Sequence, residues 1–204
     1  MSRPRGQTLT RQDVVTAAVV CLQKDGEAGL GVNRVARELG IRPPSIYKHI
    51  KGNEALRLAV AAEGMRLLTE YLKHYAQDTN QQDCSIRTIA HAVRQFFHQN
   101  QALHQVMTTT IVDGSDPDFQ AIKQAFLQFN VTALEPFKLS GDDFIHALRM
   151  FISMCHGFSL LEQSQQFKEP QSLDESYEWL ISTFILGIRK RSEKSANNLQ
   201  EIRV

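Results

Sequence analysis

Between positions 42 and 53 the chain gathers Arg42, Ser45, Tyr47, Lys48, His49 and Asn53, all hydrogen-bond donors, with Pro43 and Pro44 among them and no carboxylate in the run. Donors without acids suit contact with phosphate oxygens, and an arginine among them can also reach base edges. Other chemistries find less support. Asp142 and His146 stand at i, i+4, and His91 and His98 at i, i+7, but neither pair has a third residue to complete a metal site. Serine, histidine and aspartate are all present, yet no Gly-x-Ser-x-Gly elbow positions a nucleophile. Glycine-rich phosphate loops are absent too. Cys21, Cys84 and Cys155 are far apart and contain no Cys-x-x-Cys, which suggests neither a disulfide framework nor a zinc knuckle. No enzyme, cofactor or metal is expected.

Donors of this kind act only if two short helices hold them outward. Val32, Val35, Ala36 and Leu39 recur at helical spacing, and Gly40 follows as a helix-ending residue. Pro43 and Pro44 are tolerated only in a first helical turn, so the next helix is predicted from about Pro43 to Ile50. The intervening Gly40-Ile41-Arg42 is the short glycine-containing turn of a helix-turn-helix, here over about 31–50. Val35, Ala36, Leu39, Ile41, Ile46 and Ile50 can form its small core. That leaves Arg42, Pro43, Pro44, Ser45, Tyr47, Lys48 and His49 outside, where the start of a recognition helix meets the major groove. Arg42, Pro43 and Pro44 are assigned to base reading. Ser45, Tyr47, Lys48 and His49, with Val32 and Asn33 at the start of the preceding helix, are assigned to phosphates.

The rest reads as further helices, giving an all-α chain of about nine. Thr10 and Asp13 form a capping box for the first helix, and Gly26 ends it. A long helix is predicted from about Glu54 towards Tyr75, then a loop at Gln77–Asp83. Helices follow at about 84–99, 102–111, from Pro117 to about Phe137 after a cap at Asp116, at 144–163 capped within Ser140–Asp143, and at 173–191 capped by Ser172. The tail beyond Arg189 is expected to fray. Two domains are expected, 1–57 and 58–204. The formal net charge is only +1. It is unevenly spread: residues 1–57 carry ten Lys/Arg against five Asp/Glu, leaving thirteen against seventeen beyond. A basic head on an acidic body is what docking on phosphates asks for. No signal-peptide pattern is seen and no apolar run is expected to approach the ~18 residues of a membrane span, so a cytoplasmic location is expected.

The run Gly29–Ile50, with Ala36, Gly40 and Tyr47-x-His49 followed by Glu54-x-Leu56, resembles the DNA-binding head of the TetR (tetracycline-repressor-like) regulators over residues 9–57. His156-Gly157-Phe158, Leu161-Glu162 and Phe167 before an amphipathic last helix are similar to the C-terminal domain of a His-Gly-containing subgroup. The resemblance implies a homodimeric repressor that leaves a near-palindromic operator when a small molecule enters the body. It implies that the long fourth helix couples body to head, and that helices at about 142–163 and 173–191 pair with those of a second copy. Two departures stand out. Gly31 lacks the hydroxyl the family usually has at the start of the second helix, and Asn53 replaces its usual lysine.

His156, Gly157, Leu160, Leu161, Phe184 and Ile188 are the candidate dimer residues; the competing reading of Gly157 is a tolerated glycine beside a surface histidine. Met65, Phe97, Met107, Phe126, Phe129, Phe151 and Met154 are candidates to line a pocket for a largely apolar effector, though such residues more often make plain core. Alternatives remain open: a member of the class that activates or senses no small molecule, and a helical interaction protein whose head has lost DNA binding.

Overall fold

The computed structural model describes residues 8–78, 86–112, 117–139 and 141–201. Nine α-helices follow one another among them: α1 (Arg11–Asp25), α2 (Val32–Leu39), α3 (Pro43–Ile46), α4 (Asn53–Asp78), α5 (Ile86–Gln99), α6 (Gln101–Thr109), α7 (Pro117–Leu134), α8 (Asp142–Gln163) and α9 (Leu173–Glu201). Single 3-10 turns sit at Gly26–Gly29 and Glu135–Phe137, and no strand occurs among the described residues. The all-α expectation holds. The predicted caps at Asp116 and Ser140, most of the predicted loop 77–83, and Cys84 lie outside the described residues.

The sequence signals act where they were read. Thr10 Oγ1 accepts from the Asp13 amide at 3.1 Å and the Asp13 carboxylate accepts from the Thr10 amide at 2.9 Å, closing the capping box of α1. Gly26 ends α1 at φ 63°. Ser172 Oγ accepts from the Glu175 amide at 3.3 Å at the start of α9. Three boundaries differ. α3 is helical only to Ile46 and continues as a turn, because the amides of His49 and Ile50 both fold back to the Ile46 carbonyl. α4 continues to Asp78, into the stretch expected as a loop. α9 runs on to Glu201 instead of fraying at Arg189: no proline or glycine follows Arg189 to stop it, and polar helix formers propagate a long helix without an apolar stripe.

The chain divides into two compact units, one of Met1–Leu68 and Gln99–Lys123, the other of Thr69–His98 and Gln124–Val204. The divide therefore falls inside α4 and inside α7. In the first unit Val14, Ala18, Cys21 and Leu22 of α1 are buried, as are Val32, Val35 and Ala36 of α2, Ile46 of α3, Leu56 and Val60 of α4, and Leu103 of α6. Gly29 is obligatory there, since a Cβ on it would lie 2.2 Å from the Cys21 carbonyl oxygen of α1.

The second unit is built on Phe97 of α5, Phe151 and Cys155 of α8, and Tyr177, Ile181, Phe184 and Ile188 of α9. Tyr177 donates its hydroxyl to the Ala90 carbonyl at 2.9 Å. Arg94 lies against the rings of Tyr177 and Phe158, 4.9 and 5.4 Å from their centroids, and donates to Glu162 at 2.9 Å and Asp174 at 2.8 Å. A buried charge set this way ties α5, α8 and α9 in one register. Burial pushes the Cys155 thiol up to about 12, which keeps it protonated and inert.

One expectation is corrected here. α8 contains an 18-residue window of mean hydropathy 1.3, so by length and composition it could cross a membrane, although no such run was expected. Only 28% of that window is buried within the chain. Its apolar residues serve two faces: Ala147, Leu148, Phe151 and Cys155 point into the unit's core, while Ile145, Met150 and Leu161 are exposed.

Candidate nucleic-acid interface

The working surface is set by α2, the turn after it, and α3. Gly40 adopts φ 66°, ψ 29°, the left-handed cap that lets the chain reverse. The Gly40 amide bonds to the Arg37 carbonyl and the Ile41 amide to that of Ala36, which closes the turn. Arg42 is extended at φ −83°, ψ 141°, as a residue before proline must be, and Pro43 and Pro44 occupy the first helical positions. Ile46 and Ile50 are buried beneath. With those two fixed inward, Arg42, Pro44, Tyr47 and Lys48 are exposed, Tyr47 by 53%, and Pro43, Ser45 and His49 are half-buried beside them. Asn33 and Asn53 are exposed as well.

Val32 does not belong to this surface. Its side chain is 2% exposed, and its amide, the group that would have faced a phosphate, donates to Asn53 Oδ1 at 3.0 Å. Starting α2 on the buried face of its own apolar stripe makes Val32 a core residue.

Electrostatics separate the cations of the head into two sets. Arg34 donates to Asp25 at 2.6 Å and to Glu38 at 2.8 Å, and Lys24 donates to Glu38 at 2.6 Å. Hydrogen bonds from Lys24 and Arg34 hold the Glu38 carboxyl at about 2 against an ordinary 4.5. Arg57 forms a bidentate pair with Glu27 at 2.7 and 3.0 Å and also donates to Thr109 and Thr110. These cations are spent on the fold. Arg37, Arg42, Lys48 and Lys51 are exposed and have no carboxylate partner. Arg37, which the sequence reading did not single out, stands one helical turn from Asn33 on the polar side of α2.

The remaining candidates scatter. Phe97 and Phe151 are fully buried in the second unit, whereas Phe126, Phe129 and Met154 of that unit are half-buried. Met65 and Met107 belong to the first unit, where Met107 abuts Gly64 so closely that a Cβ there would lie 2.7 Å from its sulfur. Phe184 and Ile188 are buried in their own chain's core, because the α9 stripe Tyr177, Ile181, Phe184, Ile188 faces α8 and α5. His156 is half-buried and packs on Phe97 with ring centroids 4.6 Å apart. Leu160 is half-buried, Leu161 is exposed, and a Cβ on Gly157 would touch nothing within 4 Å. The exposed faces of α8 and α9 instead carry Met150, Trp179 and Leu186, the last two exposed by 77% and 70%. Among the described residues no three of His, Cys, Asp or Glu converge on a metal position.

The model of the tetracyclin repressor-like C-terminal domain family matches residues 86–184. The HTH-type transcriptional regulator YobS of Bacillus subtilis is 26% identical over 180 residues, 88% of this chain and 93% of its own length. The class D tetracycline repressor protein of Escherichia coli is 40% identical over a shorter span of 55 residues, 27% of this chain and 25% of that one. Among solved structures, apo ActR of Streptomyces coelicolor superposes with a TM-score of 0.69 at 14% identity, covering 93% of this chain and 99% of ActR. BioQ of Mycobacterium smegmatis superposes with a TM-score of 0.62 at 23% identity, covering 89% and 99%. Further structures hold ActR with (S)-DNPA and BioQ with its double-stranded DNA operator.

Proposed function

We propose that the chain is a transcriptional regulator of the tetracycline-repressor-like (TetR) kind and not an enzyme, a homodimeric repressor that holds a near-palindromic operator and is released from it by a small molecule. The observation that carries the DNA reading is an outward-facing α3 start in a head that also exposes four cations without carboxylate partners, Arg37, Arg42, Lys48 and Lys51. Arg42, Pro43 and Pro44 read base edges; Asn33, Ser45, Tyr47, Lys48, His49 and Asn53 hold phosphates. BioQ's structure with its operator supports this as an analogy of fold.

Dimerisation follows from the surface left uncovered. Met150 and Leu161 of α8, with Trp179 and Leu186 of α9, are large apolar side chains that a monomer would leave in water. A second copy of the same pair of helices covers them, with Gly157 allowing close approach, and places two heads ~34–36 Å apart for successive major grooves. The effector is a largely apolar molecule received in the acidic body, where Phe126, Phe129 and Met154 remain half-buried and available as walls. The complex of ActR with (S)-DNPA supports the effector reading by fold alone.

The experiment is sedimentation of the full chain with and without a mixed-sequence duplex, for wild type and for Trp179→Glu/Leu186→Glu. The wild type is expected to sediment as a dimer and to bind DNA; the double variant is expected to be monomeric and to lose at least tenfold in affinity. A wild type that is monomeric or ignores DNA overturns the reading.

A further inference from the structure

The two family departures at Gly31 and Asn53 meet in space. α2 begins after Gly31, which has extended backbone (φ −147°, ψ 143°) and no side chain with which to cap the helix. The first turn of a helix leaves its amides without partners, and a residue lacking an oxygen at the cap position leaves them to water. Here the Val32 amide is not left so: it donates to Asn53 Oδ1 at 3.0 Å. Asn53 is the first residue of α4, twenty-one positions away. The oxygen that caps α2 therefore comes from another helix.

We propose that Asn53 is the positioning residue of the DNA-binding head, an interhelical cap that replaces the missing hydroxyl at position 31 and fixes the start of α2 on the start of α4. This rests on the DNA-binding reading above and deepens it. The donor is a backbone N–H, so the acceptor is the amide oxygen and the Asn53 side-chain orientation is determined. Its Nδ2 group, which has no protein partner, is left facing out. An aspartate would accept the same bond and complement the positive ends of two helices, but would set a negative charge where phosphates approach. A lysine has no acceptor and cannot cap at all. Asparagine meets both demands. Held in this way, α2 arrives at DNA already ordered, and binding does not have to pay for ordering it.

The test is a cycle on the full-length protein, measuring thermal midpoint without DNA and affinity for a mixed-sequence duplex at fixed salt. Asn53→Ala is expected to lower the midpoint by about 2–4 °C, the loss of one cap in a chain of this size, and to weaken binding about fivefold per head. Adding Gly31→Thr to Asn53→Ala is expected to restore the midpoint and to recover part of the binding, all but the phosphate contact of the Asn53 amide, because a Cβ on Gly31 meets nothing within 4 Å and the backbone there suits any residue. Asn53→Asp is expected to keep the midpoint and still weaken binding. The proposal is overturned if Asn53→Ala changes neither quantity, or if the double variant is no better than Asn53→Ala alone. Should the wild type itself fail to bind DNA, the functional reading falls while the stability arm still decides the cap.

Discussion

Lys48→Ala tests the assignment of cations most quantitatively. Among the described residues each head exposes four cations without carboxylate partners, Arg37, Arg42, Lys48 and Lys51, whereas Arg34 and Arg57 are held by Asp25, Glu38 and Glu27. Leaving aside Arg42, which is assigned to base edges, the described residues of a dimer thus bring about six phosphate-neutralising groups, which contribute about −5 to the slope of log affinity against log salt. Lys48→Ala removes one per head and is expected to lower the slope by about 1.8. Between about 50 and 200 mM salt these groups then cost the wild type roughly 10³-fold in affinity and the variant roughly 10²-fold. Fluorescence anisotropy with a labelled mixed-sequence duplex of about 30 base pairs measures this, because the electrostatic contribution does not depend on sequence. Arg34→Ala is the control: its guanidinium is already committed, so the slope is expected to stay at the wild-type value. An unchanged slope in Lys48→Ala, or an equal drop in Arg34→Ala, refutes the division of the cations.

Further outcomes are expected. Tyr47→Ala weakens binding to all duplexes alike, while Arg42→Ala relaxes the preference at one base pair, as competition among selected sequences will reveal. Gly29→Ala drives a methyl group into the Cys21 carbonyl oxygen and costs about 3 kcal/mol, a fall of about 6–12 °C in the thermal midpoint for a chain of this size. Glu38 has a folded pKa of about 2 against an ordinary 4.5, so its contribution to stability is complete above 4.5 and lost as pH falls towards 2; the gap in thermal midpoint between wild type and Glu38→Gln is expected to close over that window. Gly157→Leu has open space in the monomer, so it is expected to leave folding intact and to dissociate the dimer, seen by sedimentation.

What could be read in the sequence was whatever depends on neighbours a few residues apart. The capping box at Thr10 and Asp13, the reversal at Gly40 and the paired prolines of α3 are local devices, and each acts where it was read. Less legible was whatever depends on which face of an apolar element is already taken. Val32, Phe184 and Ile188 looked available, but the partners that bury them come from helices distant in the chain. For the same reason Met150, Trp179 and Leu186 became visible as a surface only once the core was assigned. The charge asymmetry of the sequence could not say that Lys24, Arg34 and Arg57 are consumed internally and that Arg37 is not. Gly31 and Asn53 looked like two separate weaknesses because a bond between residues twenty-one positions apart carries no sequence signal of its own.

The most direct test of a dimeric, operator-reading protein is selection of bound duplexes from a random library by the purified full-length chain, followed by sequencing. Enrichment of a motif with two-fold symmetry, its half-sites centred about 10 base pairs or a multiple apart, is the predicted result. No enrichment, or a single asymmetric half-site bound equally well by the Trp179→Glu/Leu186→Glu variant, would contradict it.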